Sequence, residues 1–120
     1  MRGRFDEQGK PVFEIELITV DGNIIVINAW LDTGFTGWID LDKQDAESLG
    51  WMAIDSRILQ MAISESSFNV YLEKVRFGGE EVEIEVFGGD GVPEVLIGLA
   101  WLQTRRLVAD FPASILTLGE

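Results

Sequence analysis

Residues 81–87 read Glu-Val-Glu-Ile-Glu-Val-Phe, a strict alternation that suits a β-strand with one wet face and one dry face. Val82, Ile84 and Val86 are expected to point inward, and Glu81, Glu83 and Glu85 outward. The same period appears near the start of the chain, where Phe13, Ile15 and Leu17 alternate with Glu14 and Glu16. Residues 12–20 and 22–30 therefore predict two strands, joined at Asp21-Gly22, whose glycine favours a tight hairpin turn. Residues 57–63 and 68–77 predict a second hairpin. Gly78-Gly79 predicts a turn, and Gly88-Gly89-Asp90-Gly91 another. Shorter strands are expected at 38–41, 95–97, 107–109 and 114–118, with Pro112 at the corner between the last two. Only two helices are expected. One spans 43–49, capped by Asp42 and stopped by Gly50; the other is brief, at 99–104. The fold class is all-β, a barrel or sandwich with one or two short helices, and one domain is expected over 1–120.

The residues that are missing narrow the chemistry. The chain has 120 residues and contains neither cysteine nor histidine. Thiolate nucleophiles, Ser-His-Asp triads, disulfides and His/Cys zinc sites are therefore excluded. Carboxylates, hydroxyls, a few basic side chains and the backbone remain. Asp40, Asp42 and Asp45 do not have the spacing of a calcium loop, so no metal is expected. No cofactor is expected either. The hydrophobic fraction of 47% fills a core without staples, and Trp30, Trp38, Trp51 and Trp101 are expected in it. The net charge of -12 argues against nucleic acid and against an anionic membrane surface. No segment has the length and apolarity of a membrane span or a signal peptide core. A cytoplasmic location is expected.

The segment with chemical content is Ala29-Trp30-Leu31-Asp32-Thr33-Gly34-Phe35. An apolar strand runs directly into an acid, a hydroxyl and a glycine. Gly34 permits a tight turn, Thr33 can hydrogen-bond to the backbone, and Asp32 is expected at a strand end in apolar company. A second segment, Val95-Leu96-Ile97-Gly98, is another apolar run that ends in glycine and leads into the brief helix.

Together, these two segments resemble the retropepsin-like (retroviral-type, clan AA) aspartic peptidases, including the small single-domain prokaryotic members. The resemblance runs from about residue 12 to residue 118. It implies an aspartic endopeptidase fold in which Asp32 is catalytic, with Thr33 and Gly34 supporting the active-site loop. It implies that Leu96, Ile97 and Gly98 pack behind that loop. It also implies a homodimer, because each chain supplies one Asp32, and a peptide or protein substrate. The family's flap maps onto residues 57–77, with Ile63, Ser64, Glu65 and Ser66 at its tip and against substrate. Ile115, Leu116 and Leu118 would form part of an apolar dimer interface.

Three positions depart from the family pattern. Phe35 stands where Ala or Ser is common, and its ring either narrows a subsite or simply packs. Residues 62–67 contain no glycine, and Leu99 stands where the viral enzymes commonly have Arg. Two other readings stay open: a catalytically silent dimeric peptide-binding or scaffold domain of the same fold, and an unrelated small β-barrel that binds a ligand.

Overall fold

The computed structural model describes residues 1–60 and 65–119. Its strands are β1 (Arg4–Phe5), β2 (Pro11–Ile18), β3 (Ile24–Leu31), β4 (Ile39–Asp42), β5 (Asp55–Gln60), β6 (Glu65–Phe77), β7 (Glu80–Gly89), β8 (Leu96–Ile97), β9 (Leu107–Asp110) and β10 (Ile115–Leu118). One α-helix, α1 (Lys43–Ser48), follows β4, and a 3-10 helix (Leu99–Gln103) follows β8. The chain is all-β, as the alternation predicts.

Local rules explain most of these elements. β2 and β3 pair from Val12↔Trp30 to Ile18↔Ile24, and Gly22 turns between them at φ 84. Gly78 and Gly79, at φ 61 and 81, turn β6 into β7. Along β7, Ile84 and Val86 are buried while Glu81 and Glu83 are exposed. Asp42 caps α1 by accepting from the Gln44 amide at 2.9 Å, which occupies one of the helix's free donors. Its other oxygen accepts from the Val92 amide at 3.1 Å and so ties the helix start to the loop before β8.

The main sheet runs β1-β2-β3-β8-β4-β7-β6-β5, and an added β2–β6 pairing folds it back on itself. β9 and β10 form a separate two-stranded sheet, joined to the N-terminal segment by the Arg2↔Thr117 bridge. The core lies inside this wrap, where Phe13, Ile15, Ile39, Val86, Ile97 and Trp101 are buried. The Trp101 ring stacks on Phe77 with centroids 3.8 Å apart and meets the edge of Trp38 at 4.8 Å. Such pairs add to the stabilisation from burial alone.

Four expectations are corrected. Gly88 and Gly89 are not a turn but the buried end of β7, paired with Leu41 and Asp42 of β4. Glycine is needed there because a Cβ would meet the Tyr71 ring at 2.7 Å or the Phe68 ring at 2.9 Å. Leu116 and Leu118 belong to the chain's own core, each 1% exposed, because β10 turns those side chains inward; only Ile115, at 45%, faces out. Trp51 and Trp101 are core residues, but Trp30 and Trp38 are only half-buried. Finally, β1 forms in a charged stretch with no strand pattern, through its pairing to β2.

Candidate active site

Asp32 sits where β3 leaves the sheet. Leu31 is in register with Ile97 of β8, and the Asp32 amide donates to the Ile97 carbonyl at 3.0 Å. The chain then turns on the carboxylate itself. Asp32 Oδ1 accepts from the Gly34 amide at 2.8 Å, and the Phe35 amide donates to the Asp32 carbonyl at 3.1 Å. A short Asp side chain makes this local turn readily. A Cβ at Gly34 would lie only 3.1 Å from that oxygen. Asp32, Thr33 and Gly34 are all exposed. Thr33 makes no side-chain hydrogen bond among the described residues, and it is exposed.

Behind this loop lies the second apolar segment. The Gly98 amide donates to the Trp38 carbonyl at 3.0 Å, and the Leu99 amide to the Phe35 carbonyl at 2.8 Å. The Trp101 indole N–H also reaches the Trp38 carbonyl, at 2.8 Å. Gly98 is buried, and a Cβ there would strike the Gly37 carbonyl oxygen and, at 2.6 Å, the Phe35 ring. The close approach of the two chains therefore requires glycine. Phe35 packs. Its ring stands over Gly37 and meets the edge of Phe87 at 5.9 Å, outside the space in front of Asp32.

That space is a cavity of about 290 Å³. Trp30, Leu31 and Leu96 give it apolar walls, Asp32 and Thr33 form one side, and Lys10 and Glu94 supply charge. Asp6 fixes two of these walls. It accepts from the Trp30 indole N–H at 2.9 Å and from the Lys10 amide at 2.9 Å. These bonds, the Trp30 one foremost, hold the Asp6 carboxyl below its usual range. On β4, Asp40 is in register with Leu96 and with Phe87. Its Oδ1 is buried without a hydrogen-bond partner, and burial pushes the carboxyl up to about 6.

The expected covering hairpin is formed by β5 and β6, paired from Asp55↔Val70 to Gln60↔Glu65. Ile63 and Ser64 lie outside the described residues. Glu65 opens β6, and Ser66, half-buried beside it, is not part of the Asp32 cavity. An aromatic chain links the hairpin to the loop: Phe68 lies 6.5 Å from Phe87, which contacts Phe35. Arg57 lies over Phe87 at 5.7 Å and pairs with Glu85 at 2.9 Å.

No family model matches the chain, and neither does any curated protein. Solved structures do. A retropepsin-like aspartic protease from Rickettsia conorii superposes with a TM-score of 0.67 at 18% identity, covering 98% of this chain and 88% of that one. The chain has the retropepsin-like fold. The Simian Foamy Virus (mac) protease is a second match, with a TM-score of 0.55 at 20% identity, over 80% of this chain and 99% of that one.

Within the retropepsin-like frame, the structure brings Asp32, Thr33 and Gly34 together with Leu96, Ile97 and Gly98, and leaves Ser66 apart from them. Sequence reasoning did not find Lys10, Trp30 or Glu94 as cavity residues. Glu94 did leave a signal: it lies two positions before Leu96, which strand alternation places on the same side. Among the described residues, no group of His, Cys, Asp and Glu side chains is arranged to hold a metal ion, and no helix is long and apolar enough to cross a membrane.

Proposed function

We propose that this protein is an aspartic endopeptidase active as a homodimer, with Asp32 of each chain forming one half of a carboxylate dyad. The observation that carries this reading is the exposed Asp32, held by the Gly34 amide at 2.8 Å on a loop backed by Gly98 and opening onto a cavity. Thr33 and Gly34 are exposed beside it, which suits contact with the same loop of a second copy across a two-fold axis.

Two carboxylates about 4 Å apart repel by about 4 kcal/mol at an effective dielectric of about 20. That corresponds to about three pKa units, so the pair holds one proton over a wide pH range. The ionised member takes a proton from a bound water as the water oxygen attacks the scissile carbonyl carbon. The protonated member donates to the carbonyl oxygen. The C–N bond then breaks as a proton passes to the leaving nitrogen.

A peptide or protein substrate lies extended under the hairpin of residues 57–77, making strand-like backbone hydrogen bonds. Ile63, Ser64, Glu65 and Ser66 are proposed as its tip. The acidic balance of the chain, at -12, is the reason for proposing no nucleic-acid or membrane partner.

The packing of Phe35 away from the cavity favours turnover over a silent scaffold, because the ring leaves the Asp32 carboxylate open. The test is peptide cleavage by Asp32→Asn. Cleavage should fall at least about 10²–10⁴-fold with the fold intact. Specific activity of the parent should rise with protein concentration and, because two acidic chains repel, with moderate salt. Unchanged cleavage by Asp32→Asn would refute the reading.

A further inference from the structure

We propose that the cavity beside Asp32 receives a lysine or arginine side chain of the substrate, and that Glu94 selects it. This rests on the reading of Asp32 as half of a cleavage site, and it names the class of peptide that site prefers.

The cavity has two chemical zones. Trp30, Leu31 and Leu96 present apolar surface, and Glu94 presents a carboxylate. A long methylene stem with a charged end matches both zones, because lysine and arginine bury their stems along apolar surface and keep their heads at a polar partner. A purely aliphatic side chain would satisfy the walls but leave Glu94 partly desolvated with nothing in return. An acidic side chain would face it with like charge.

Glu94 is available for this role. It is half-buried, and none of the ion pairs among the described residues involves it. Lys10 lines the same cavity and carries the opposite charge, so it is the rival determinant. Like Glu94, Lys10 is in no ion pair among the described residues, but the nearby Asp6 carboxylate partly offsets its charge. Lys10 is also exposed, whereas Glu94 has lost part of its water. A partly desolvated carboxylate gains more from a charge-assisted hydrogen bond than a solvated ammonium does. The net charge of -12 also draws cationic peptides to the protein as a whole.

The test uses two peptides that differ only in lysine or norleucine beside a cut site mapped by digesting a peptide library. For the parent protein, kcat/KM should favour lysine by about 10-fold or more, the size of one charge-assisted hydrogen bond. Glu94→Gln should bring the ratio close to one, and Glu94→Lys should turn the preference toward glutamate. Lys10→Gln should keep the lysine preference. A parent without lysine preference, or a preference that survives Glu94→Gln, overturns the proposal while leaving proteolysis standing. If the parent cuts neither peptide, the proteolysis reading falls, and calorimetric binding of the same two peptides decides the subsite. Tighter binding of the lysine peptide, lost in Glu94→Gln, upholds the proposal; equal binding overturns it.

Discussion

The loop that carries Asp32 and the hairpin of β5 and β6 are held by different means. The loop is fixed by main chain against main chain. Amides of Asp32, Gly98 and Leu99 close on carbonyls of Ile97, Trp38 and Phe35 at 2.8–3.0 Å, and Gly98 leaves no room for a side chain. The hairpin has its own backbone ladder, from Asp55↔Val70 to Gln60↔Glu65, but its outer strand is paired on one side only. β5 is the edge of the sheet, and its residues 55–58 are exposed. Its tie to β7 is the Arg57–Glu85 pair, with both side chains about 40% exposed. The lesson is one of tolerance: a floor made of backbone allows few substitutions, whereas the exposed outer strand of the expected cover can drift in sequence.

The sharpest way to break this contrast is Gly98→Ala. The added methyl meets backbone rather than a flexible side chain, so the loop must move. The variant should lose about 3 kcal/mol or more in urea unfolding, and cleavage with it. A mild effect would show that the floor yields.

Asp40→Asn comes next, because Asp40 is a polar group the floor leaves unsatisfied. Its carboxyl keeps a proton up to about pH 6 in the folded chain, against 3.8 for the unfolded one. The folded state therefore binds the extra proton between those values, and stability falls as pH rises through that window. Asp40→Asn should raise stability by about 1–2 kcal/mol at pH 7.5, allowing for the partial exposure of the group, with no gain below pH 3.8. Denaturant midpoints at the two pH values measure this.

The smallest effect is expected in the cover. Arg57→Gln should cost under about 1 kcal/mol, and salt should erase the difference. Melting temperatures with and without salt test it. A large loss would place the hairpin in the same class as the floor.

The parts of the fold legible in the sequence are those set within a few residues. The turn at Gly22, the Asp42 cap and the alternation of β7 each follow from local geometry. The parallel pairings β3–β8 and β4–β7 are not legible, because no local pattern says which distant strand will lie alongside. Residues 88–91 predict a turn, and Asp90 and Gly91 do turn, with Gly91 at φ 64; but glycine signals both turns and close packing, and at Gly88 and Gly89 the rings of Tyr71 and Phe68 decide for packing. In the candidate site, Asp32 and Gly98 stood out because each ends an apolar run. Lys10 and Glu94 did not, because a charged residue in a loop looks the same whether it faces water or a cavity.

The seam between β3, β8 and β4 has a consequence for how the protein comes into being. The indole N–H of Trp101 grips the carbonyl of Trp38 from 63 residues away. Contacts of such separation are closed late and slowly, after the loop entropy between them has been overcome. A chain still emerging from the ribosome therefore carries Asp32 long before Ile97 and Gly98 can brace its loop. Biosynthesis itself delays the completion of that seam until the second apolar segment has been made.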